Sequence, residues 1–592
     1  MLLGAATFSL GVVAPVANAA DDVRIHDIQG SLRLSPLDGQ QVAGVPGVVT
    51  AVRAFGSARG FWVQDPNSDG DVVTSEALLV FTGSVTPQVT VGDAVTLDGT
   101  VAEFYPDGSA ETAVHQSTTE LTTATWTIVS SGNPLPAAER IAVPDRMAPD
   151  AGGGNIEALP LRPSRYAVDY YEAREGMRVR VDDARAVGPT TTFNELWLTT
   201  KPRENQSAHG GTLYSSYRDD NTGRVKVESL IPFAQRPFPQ ANVGDSLTGE
   251  TSGPLDYDEF GGYLVQATAL GTLAPGGLRP EATRPQRTGE LAVATYNVEN
   301  LSPNDTPAKF QRLAHGVVES LASPDILSLE EIQDNNGTTN DSVVAADQTL
   351  RLFTDAVVAA GGPRYEWRAI DPVDDADGGA PGGNIRVAFL FNPARVSFVD
   401  RPGGDATTPV AVAGRHLSVS PGRIDPASDA WTDSRKPLAG EFTFRGRTVF
   451  VVANHFNSKG GDQPMYGRFQ PPARSSEVQR LKQATEVHDF VTQLQRVDRL
   501  ANIVVLGDLN DFQFAPAARK LTERLSLVDL INVLPKDERY SYVYEGNSQT
   551  LDHVLVSGKI VGLEYDVVHV NAEFANQASD HDPQVVRLTL LG

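Results

Sequence analysis

The stretch Ala501–Phe512, ANIVVLGDLNDF, decides how the C-terminal half of the chain is interpreted. Its apolar run Ile503–Leu506 predicts a short buried strand, and Asp508 and Asn510 follow where that strand ends. Side chains alternate along a strand, so these two residues should lie on the same side, within reach of one small ligand. A carboxylate beside an amide suits a hard divalent cation and a phosphate. The alternative is a capped turn after a core strand, and this stretch alone does not choose between them.

The composition of the chain excludes several classes of site. Its 592 residues suffice for two to four domains with sizeable cores. The formal net charge of −25 repels nucleic acid and anionic membranes, so a phosphate substrate would need bound cations or a local basic surface. There is no cysteine in the sequence, which excludes disulfides, thiolate zinc sites, iron–sulfur clusters and a cysteine nucleophile.

The N-terminus predicts an export signal over residues 1–20. Leu2–Val16 is apolar and small, and Ala17-Asn18-Ala19 gives an A-x-A cleavage pattern, although the usual basic residues are missing. The alternative is a disordered apolar tail. We therefore expect a secreted, extracellular protein without a membrane anchor, and a monomer.

The part of the chain before residue 290 is predicted to be β-rich. Residues 21–130 contain short strands bounded by Gly, Pro and Asp, which favours a small OB-like β-barrel. Residues 131–165, rich in Pro, Gly and Ala, predict a connector, and 166–272 a second β module. The Pro-, Gly- and Arg-rich segment 273–289 predicts a linker.

Similar short segments in the two β modules indicate that they are a diverged tandem pair. Leu196-Trp197-Leu198 resembles Phe61-Trp62-Val63, and Val243-Gly244-Asp245 resembles Val91-Gly92-Asp93. Exposed aromatic residues of small barrels can stack on single-stranded nucleic acid. The strand positions of these aromatic residues favour the alternative, in which they belong to the barrel cores.

The loop Asp65–Glu76 has the spacing of a calcium-binding loop, D-x-[DN]-x-[DN]-G-x5-E. Because strands are expected on both sides and Pro66 lies inside the loop, it is not an EF-hand. The alternative is an acidic solvated loop. The candidate structural calcium ligands are Asp65, Asn67, Asp69, Asp71 and Glu76.

Residues 290–592 alternate between predicted strands and helices. Leu291–Asn297 predicts a strand, and Thr306–Leu321 has apolar residues at helical spacing. This alternation predicts an α/β sandwich whose strand ends carry polar residues into one cleft. The polar residues at or near strand ends are Asn297, Glu330, Glu331, His455, Asp508, Asn510, Asp552, Asp580 and His581.

Taken together, these segments resemble a known superfamily. The stretches YNVEN, SRKPLAG, NHFNSKGGD and DHDP, preceded by GFWVQDPNSDGD, read closely like the bacterial secreted extracellular nucleases. Residues 290–592 resemble the endonuclease/exonuclease/phosphatase superfamily, with a catalytic domain like that of pancreatic deoxyribonuclease. The resemblance implies OB-like β modules followed by a four-layer α/β sandwich.

The resemblance also implies a metal site. Asn297 and Glu331 would hold a divalent cation, and Glu331 is preferred to Glu330 because the family varies just before its glutamate. Asp508 and Asp580 are further candidate ligands. Oxygen ligands of this kind select Mg²⁺ or Mn²⁺, with Ca²⁺ as a further candidate, over softer metals.

The same resemblance implies catalytic roles. His581 would be the general base, oriented by Asp552 or Asp580, since a neighbouring carboxylate fixes the tautomer of an imidazole. Asp508 and Asn510 would position the attacking water or a metal, and the phosphate. His455 would act as an acid or contact the scissile phosphate.

One departure from the family concerns His455. Pancreatic-type enzymes pair this histidine with a glutamate on a neighbouring strand, where Asn384 or Ile385 stands here. No carboxylate is expected at that position, so His455 is not expected to be tuned in the same way.

A local excess of basic residues surrounds His455. Between Asp433 and Lys482 there are nine Lys or Arg residues and four Asp or Glu residues. Such a run can contact phosphates, although a solvated helix face is the favoured alternative for Arg480 and Lys482. The candidate phosphate contacts are Arg435, which matches an Arg-x-Pro of the family, and Lys459, Arg468 and Arg474.

The sequence thus predicts a secreted, divalent-metal-dependent nuclease that hydrolyses DNA, with RNA as a further substrate class, at low sequence specificity. One alternative is a phosphoesterase of the same fold acting on lipid or inositol phosphates. The other is a non-catalytic surface binding protein, which should tolerate His581→Ala without loss of function.

Overall fold

The structure, a computed structural model, describes residues 23–557 and 561–590. The predicted export signal, residues 1–20, lies outside them. Within these two ranges, none of the helices combines the length and the apolar character that crossing a bilayer requires.

The first module is a closed five-stranded barrel. Its strands pair in the order β1-β2-β3-β5-β4, β4 returns to β1, and only the β3–β5 pair is parallel. Phe61 of β2 is buried in the barrel core, as its strand position indicated, whereas Trp62 is buried outside that core, against Leu230 of the second module. The elements are α1 (Ile25–Gln29), β1 (Gln41–Arg53), β2 (Arg59–Gln64), β3 (Ala77–Gly83), β4 (Ala94–Phe104) and β5 (Thr118–Ser130).

The second module has the same ring of strand pairs. Its strands pair in the order β8-β9-β11-β13-β12, β12 returns to β8, and β11–β13 is the parallel pair. The elements are β6 (Glu139–Arg140), β7 (Gly154–Asn155), α2 (Ala167–Glu172), β8 (Arg178–Ala186), β9 (Leu196–Thr199), β10 (Thr212–Leu213), β11 (Arg224–Ser229), β12 (Ser246–Asp258), β13 (Gly262–Ala267) and β14 (Thr272–Ala274).

The Gly-Asp turns noticed in the sequence occupy equivalent places in the two modules. Asp93 accepts a hydrogen bond from the backbone N–H of Thr90 at 2.7 Å, and Asp245 accepts one from Asn242 at 2.8 Å. The turn in the first module leads into β4, and the turn in the second module leads into β12. The shared pairing and turns support the interpretation of a tandem pair.

The segment predicted to be a connector, residues 131–165, is instead part of the second module. Ile141, Met147 and Ile156 are buried in that module's core, and β6 pairs with β8. The prediction was wrong because Pro- and Gly-rich composition marks irregular backbone, and irregular backbone can still bury apolar side chains.

The predicted linker, residues 273–289, lies along the C-terminal domain. Its backbone donates hydrogen bonds from Glu281 to the carbonyl of His569 and from Thr283 to that of Ser320. Arg284 contacts Glu564. The segment is therefore an extended strap rather than a free connection.

The C-terminal domain contains two stacked sheets. Their strand orders are β17-β18-β16-β15-β32-β31 and β19-β23-β24-β26-β30-β27. The elements are β15 (Leu291–Leu301), α3 (Pro307–His315, followed by a π-helical turn, Gly316–Ser320), β16 (Ile326–Ile332), α4 (Asp347–Ala359), β17 (Glu366–Ala369), β18 (Arg386–Phe391), β19 (Ser397–Phe398), β20 (Val412–Ala413), β21 (His416–Leu417), β22 (Gly422–Arg423), β23 (Leu438–Phe444), β24 (Arg447–His455), β25 (Phe469–Gln470), α5 (Glu477–Val497), β26 (Asn502–Asp508), α6 (Pro516–Leu521), β27 (Leu527–Asp529), β28 (Tyr542–Tyr544), β29 (Asn547–Gln549), β30 (Asp552–Ser557), β31 (Val561–Val567) and β32 (Gln584–Thr589); 3-10 turns span Asp429–Trp431, Glu523–Leu525, Leu530–Val533 and Lys536–Glu538.

Three apolar cores join this domain into four layers. Val293 and Val504 meet between the two sheets. Leu313 of α3 packs on the outer face of the first sheet, and Val487 of α5 packs on the outer face of the second. Because β15–β16 and β24–β26 are parallel pairs, the carboxyl ends within each pair lie at one edge of their sheet. Polar residues at these ends therefore gather in one place.

Two small sheets connect the second module to loops of the C-terminal domain. β10 pairs with β29 in parallel, and β7 pairs with β25 in antiparallel. The loops that precede α5 and β30 are thus held against the second module.

Candidate active site

The first two strands of the domain supply an amide and a carboxylate. Asn297, near the end of β15, donates a hydrogen bond from Nδ2 to Oε1 of Glu331 at 3.0 Å. Glu331, the penultimate residue of β16, has a positive φ of 62°, and the pairing of β16 with β18 shifts register there. Glu330 is buried and accepts a hydrogen bond from Thr295, so Glu331, rather than Glu330, faces the site.

Asp508, the last residue of β26 in the second sheet, contacts the polar residues that the first sheet supplies. Its Oδ2 accepts a hydrogen bond from Asn297 Nδ2 at 3.2 Å, and its Oδ1 accepts the backbone N–H of Asn510 at 2.7 Å. Asn510 has a φ of 49° and its Nδ2 donates to the carbonyl of Phe456. The two residues converge as predicted, but through a turn, because β26 already ends at Asp508.

His455 lies beside Asp508 because β24 and β26 pair with these two residues in register. Its Nε2 is 3.6 Å from Asp508 Oδ2 and 3.8 Å from Glu331 Oε1. Burial, helped by the charge of Arg435, lowers the pKa of His455 well below its ordinary value. Among residues 23–557 and 561–590, nothing hydrogen-bonds to its Nδ1, in agreement with the missing carboxylate. A buried neutral imidazole is poorly suited to the acid role suggested above.

His581 has the oriented geometry of a general base. Its Nδ1 lies 2.8 Å from Oδ2 of Asp552, whose same oxygen accepts a hydrogen bond from Ser541 Oγ at 2.7 Å. Its Nε2 faces Asp508 Oδ2 at 3.8 Å and Asp580 Oδ1 at 4.0 Å. Asp552 rather than Asp580 therefore orients the ring.

The charge on His581 is set by opposing effects. Burial alone lowers the pKa of His581, but the carboxylates of Asp552, Asp580 and Asp508 outweigh it and raise that pKa well above its ordinary value. The surroundings thus favour the imidazolium. A divalent cation held at Asp508 would offset the charge of that carboxylate and so favour the neutral ring that a general base requires.

The carboxylates form a suitable cation site. One ligand atom each from Glu331, His455 and Asp508 lies within 4.8 Å of the others. Burial, with repulsion from Asp552 and Glu331, raises the pKa of Asp508 to about 7. A divalent cation between Asp508 and Glu331 would relieve that repulsion, and the oxygen-rich donor set fits Mg²⁺ or Mn²⁺. Asp580 is outside this group and is only partly buried.

Arg435 places a positive charge behind the site. It is buried, and its Nη2 donates to the carbonyl of Phe456 at 2.6 Å. Burial lowers the pKa of Arg435, and the charges of Glu331 and Asp508 oppose that change. The contact of Arg435 with a substrate phosphate stays a prediction.

Two other predicted phosphate contacts line a cleft next to the site. Lys459 Nζ is 3.8 Å above the ring of Phe512 and 3.2 Å from Asp511 Oδ1. The guanidinium of Arg474 lies 3.8 Å above the ring of Tyr217, a residue of the second module. Both side chains are partly exposed.

Arg468 is not available to a phosphate at this site. It is buried at the junction with the β modules, where it contacts Glu157 at 3.2 Å and donates to the carbonyl of Ala110. Arg480, expected on a solvated face, is also fully buried and lies 3.2 Å from Asp511. The local excess of basic residues thus serves partly to hold the loops in place.

The loop Asp65–Glu76 does not bring its predicted calcium ligands together. Both carboxylate oxygens of Asp65 accept hydrogen bonds from Arg24, at 2.5 and 2.6 Å. Glu76 accepts the backbone N–H of Asp69 at 2.8 Å and lies 3.2 Å from His26. Only His26, Asp69 and Glu76 approach one another as a possible ligand group. The predicted set of five, which includes Asn67 and Asp71, is therefore corrected.

Sequence reasoning missed the residues that support His581. Ser541 holds Asp552, and the ring of Tyr542 lies 4.7 Å from that of His581. Neither has a motif of its own, because both reach the site through the pairing of the chain around β28. Tyr214 and Tyr217 were also missed, since they come from the second module.

Comparison with known families agrees with this geometry. Residues 294–581 match the model of the Endonuclease/Exonuclease/phosphatase family. Residues 294–581 are thus an endonuclease/exonuclease/phosphatase family domain. Residues 137–275 match a domain of unknown function, DUF8508, which covers most of the second module. None of the curated proteins matches the chain.

Solved structures show a distant likeness to the endonuclease/exonuclease/phosphatase domain. The human nocturnin catalytic domain with bound sulfate is 14% identical, with 52% of this chain and 97% of that chain covered and a TM-score of 0.34. D. rerio TDP2 complexed with single strand DNA product is 15% identical, over 50% and 98%, with a TM-score of 0.31. A Bacteroides thetaiotaomicron protein of the same family is 16% identical, over 52% and 98%, with a TM-score of 0.33.

Proposed function

We propose that this protein is a secreted, divalent-cation-dependent nuclease that hydrolyses phosphodiester bonds of DNA, with RNA as a further substrate class. The proposal rests on one observation: an oriented histidine lies close to a buried carboxylate. His581 Nε2 and His455 Nε2 lie 3.8 and 3.6 Å from the same oxygen, Oδ2 of Asp508. That oxygen also accepts a hydrogen bond from Asn297.

The chain's own residues support each requirement of hydrolysis. Asp552 accepts a hydrogen bond from Nδ1–H of His581, which leaves Nε2 to accept a proton from water. Glu331 and Asp508 would hold Mg²⁺ or Mn²⁺, and Asn510 would contact the phosphate. Asn297, predicted as a further ligand, instead donates from Nδ2 to both of these carboxylates and would hold them in place, since its Oδ1 accepts the backbone N–H of Glu299. When bound, the cation supplies Lewis acidity and neutralises phosphate charge. Arg435 adds a fixed positive charge.

The proposal also includes export of the protein and an OB-like fold for both β modules. Export rests on the A-x-A pattern at Ala17-Asn18-Ala19. We interpret both modules as OB-like, because their strand order, with one parallel pair, is that of a five-stranded Greek-key barrel. A monomeric protein remains our expectation.

The test combines cation binding with cleavage. Titration calorimetry with Mn²⁺ should give one saturable site in the wild type, weakened at least tenfold in Glu331→Gln. The wild type should hydrolyse bis-p-nitrophenyl phosphate and nick circular plasmid with Mg²⁺ or Mn²⁺, and chelation should stop both reactions. His581→Ala should lower turnover by 10²- to 10⁴-fold, the usual contribution of a general base.

His315→Ala is the matched control, because His315 is half-exposed on α3 and pairs only with Glu319 in the described part of the chain. It should keep wild-type turnover. Equal rates in His581→Ala and His315→Ala, with both variants folded, would refute the assignment of the base. Hydrolysis of inositol phosphates with intact DNA in every lane would favour the alternative substrate class.

A further inference from the structure

A deep cleft opens beside the candidate active site, at the junction of the three domains. Its volume is about 740 Å³, which is the size of a site for a small organic ligand. Asn510 and Tyr542 line one part of it, so the cleft is continuous with the site that holds Asp508 and His581. The second module contributes Tyr214 and Tyr217 to its wall. The isolated catalytic fold would lack that wall.

Aromatic rings give the cleft flat, apolar surfaces. Tyr214 and Tyr217 pack edge-on against Phe512, with ring centroids 5.1 and 6.1 Å apart. These contacts fix the wall rigidly. Tyr544 is different, because it lines the cleft and 54% of the residue is exposed. A flat ligand ring can therefore stack here.

The charges of the cleft are divided. Lys459 and Arg474 are the cations on the side of the loop that precedes α5. Asp150, Asp220 and Glu259 of the second module also line it, and so do Asp462 and Glu545 of the C-terminal domain. A continuous chain of phosphates would be repelled by these carboxylates, but amino groups of nucleobases can donate hydrogen bonds to them. The division of charge thus suits a nucleoside with one or two flanking phosphates, rather than a phosphate track.

We propose that this cleft binds an unpaired nucleoside of the substrate strand, next to the scissile phosphate. The base would stack on Tyr544, and the flanking phosphate would contact Lys459 and Arg474. In a duplex both faces of each base are covered by its neighbours, so the cleft selects single-stranded segments or frayed ends. This inference rests on the proposed nuclease function and names its substrate class.

The test measures binding separately from cleavage. Fluorescence anisotropy with the His581→Ala protein and Ca²⁺ would compare a labelled twelve-nucleotide single strand with the same sequence as a blunt duplex. We expect tighter binding of the single strand. Tyr544→Ala should weaken that binding by roughly 5- to 150-fold, the range found for loss of one base-stacking ring, and Tyr544→Phe should restore it.

Phe193→Ala is the matched control, since Phe193 is an exposed ring, 83% accessible, that does not line the cleft. It should bind like the parent protein. Equal affinity in the Tyr544→Ala and Phe193→Ala proteins, or a preference for the duplex, would overturn the inference. Hydrolysis of bis-p-nitrophenyl phosphate by the wild type reports the proposed function independently. If that hydrolysis is present and the stacking result is negative, only the inference about the cleft fails.

Discussion

Replacement of Asp552 by Asn isolates the contribution of charge to the action of His581. Two donors, Ser541 Oγ–H and the Nδ1–H of His581, point at the same oxygen, Oδ2, at 2.7 and 2.8 Å. An asparagine can place its carbonyl oxygen there and still accept both hydrogen bonds. The tautomer and ring orientation of His581 are then kept, and only the negative charge is lost.

The size of the effect follows from that geometry. A hydrogen bond to a charged group contributes about 1.5–3 kcal/mol and one between neutral groups about 0.5–1.5 kcal/mol, so loss of the charge alone should cost about 1–1.5 kcal/mol and slow turnover about 5- to 13-fold. Asp552→Ala also frees the ring, and should approach the 10²- to 10⁴-fold loss expected for removal of the base. Ser541→Ala removes one support of Asp552 and should have the smallest effect of the three.

The assay is steady-state hydrolysis of bis-p-nitrophenyl phosphate with saturating Mn²⁺, with circular dichroism as a check on folding. We expect kcat to fall in the order Ser541→Ala, Asp552→Asn, Asp552→Ala. A folded Asp552→Asn protein whose kcat is within twofold of the wild type would refute the role of Asp552. A loss as large as that of Asp552→Ala would show that the tautomer is not retained.

Two further predictions concern the junctions between domains. Arg468→Ala leaves the buried Glu157 without its partner at 3.2 Å, a change that typically costs 3–5 kcal/mol, so the unfolding temperature should fall while hydrolysis of bis-p-nitrophenyl phosphate stays at the wild-type rate. A raised KM with unchanged stability would instead indicate that Arg468 contacts the phosphate of the substrate. Glu175 is buried between the β modules, and burial, with repulsion from Glu172 and Glu103, raises its pKa well above the ordinary value. A raised carboxyl pKa means that stability is present below the unfolded pKa of about 4.5 and falls by about 1.4 kcal/mol per pH unit as the pH rises toward the folded pKa. Glu175→Gln keeps the oxygen that accepts Thr119 N–H at 2.9 Å, so its gain in unfolding temperature over the wild type should be larger at pH 8 than at pH 5.5. A gain that does not change with pH would contradict this account.

The α/β half of the chain was predictable because its signals are local. The apolar residues Phe310, Leu313 and Val317 recur at helical spacing, and all three are buried on the predicted face. The strand Ile503–Leu506 is continuous and apolar because both of its faces are covered, one by the first sheet and one by α5. Such patterns depend only on which faces of an element meet water.

The irregular segments were less predictable. Residues 131–165 and 273–289 have the composition of connectors, yet one enters a core and the other binds along a domain. Composition reports that a segment is neither helix nor strand. It does not report whether distant backbone groups are available to bind it.

By itself, the sequence determined which residues stand at the strand ends, and therefore the donor types and their order along the chain. Asn297, Glu331 and Asp508 follow from that order, because strand direction fixes where each carboxyl end lies. His581 reaches the same edge because it precedes β32, which runs antiparallel to β15. Only the tertiary structure decided that Asp552 rather than Asp580 orients His581, and that Arg468 is buried against the β modules. It also decided that the guanidinium of Arg24 donates hydrogen bonds to the carboxylate of Asp65. The physical reason is that hydrogen bonds and ion pairs depend on distances of about 3 Å between residues that are far apart in sequence, and spacing along the chain carries no such information.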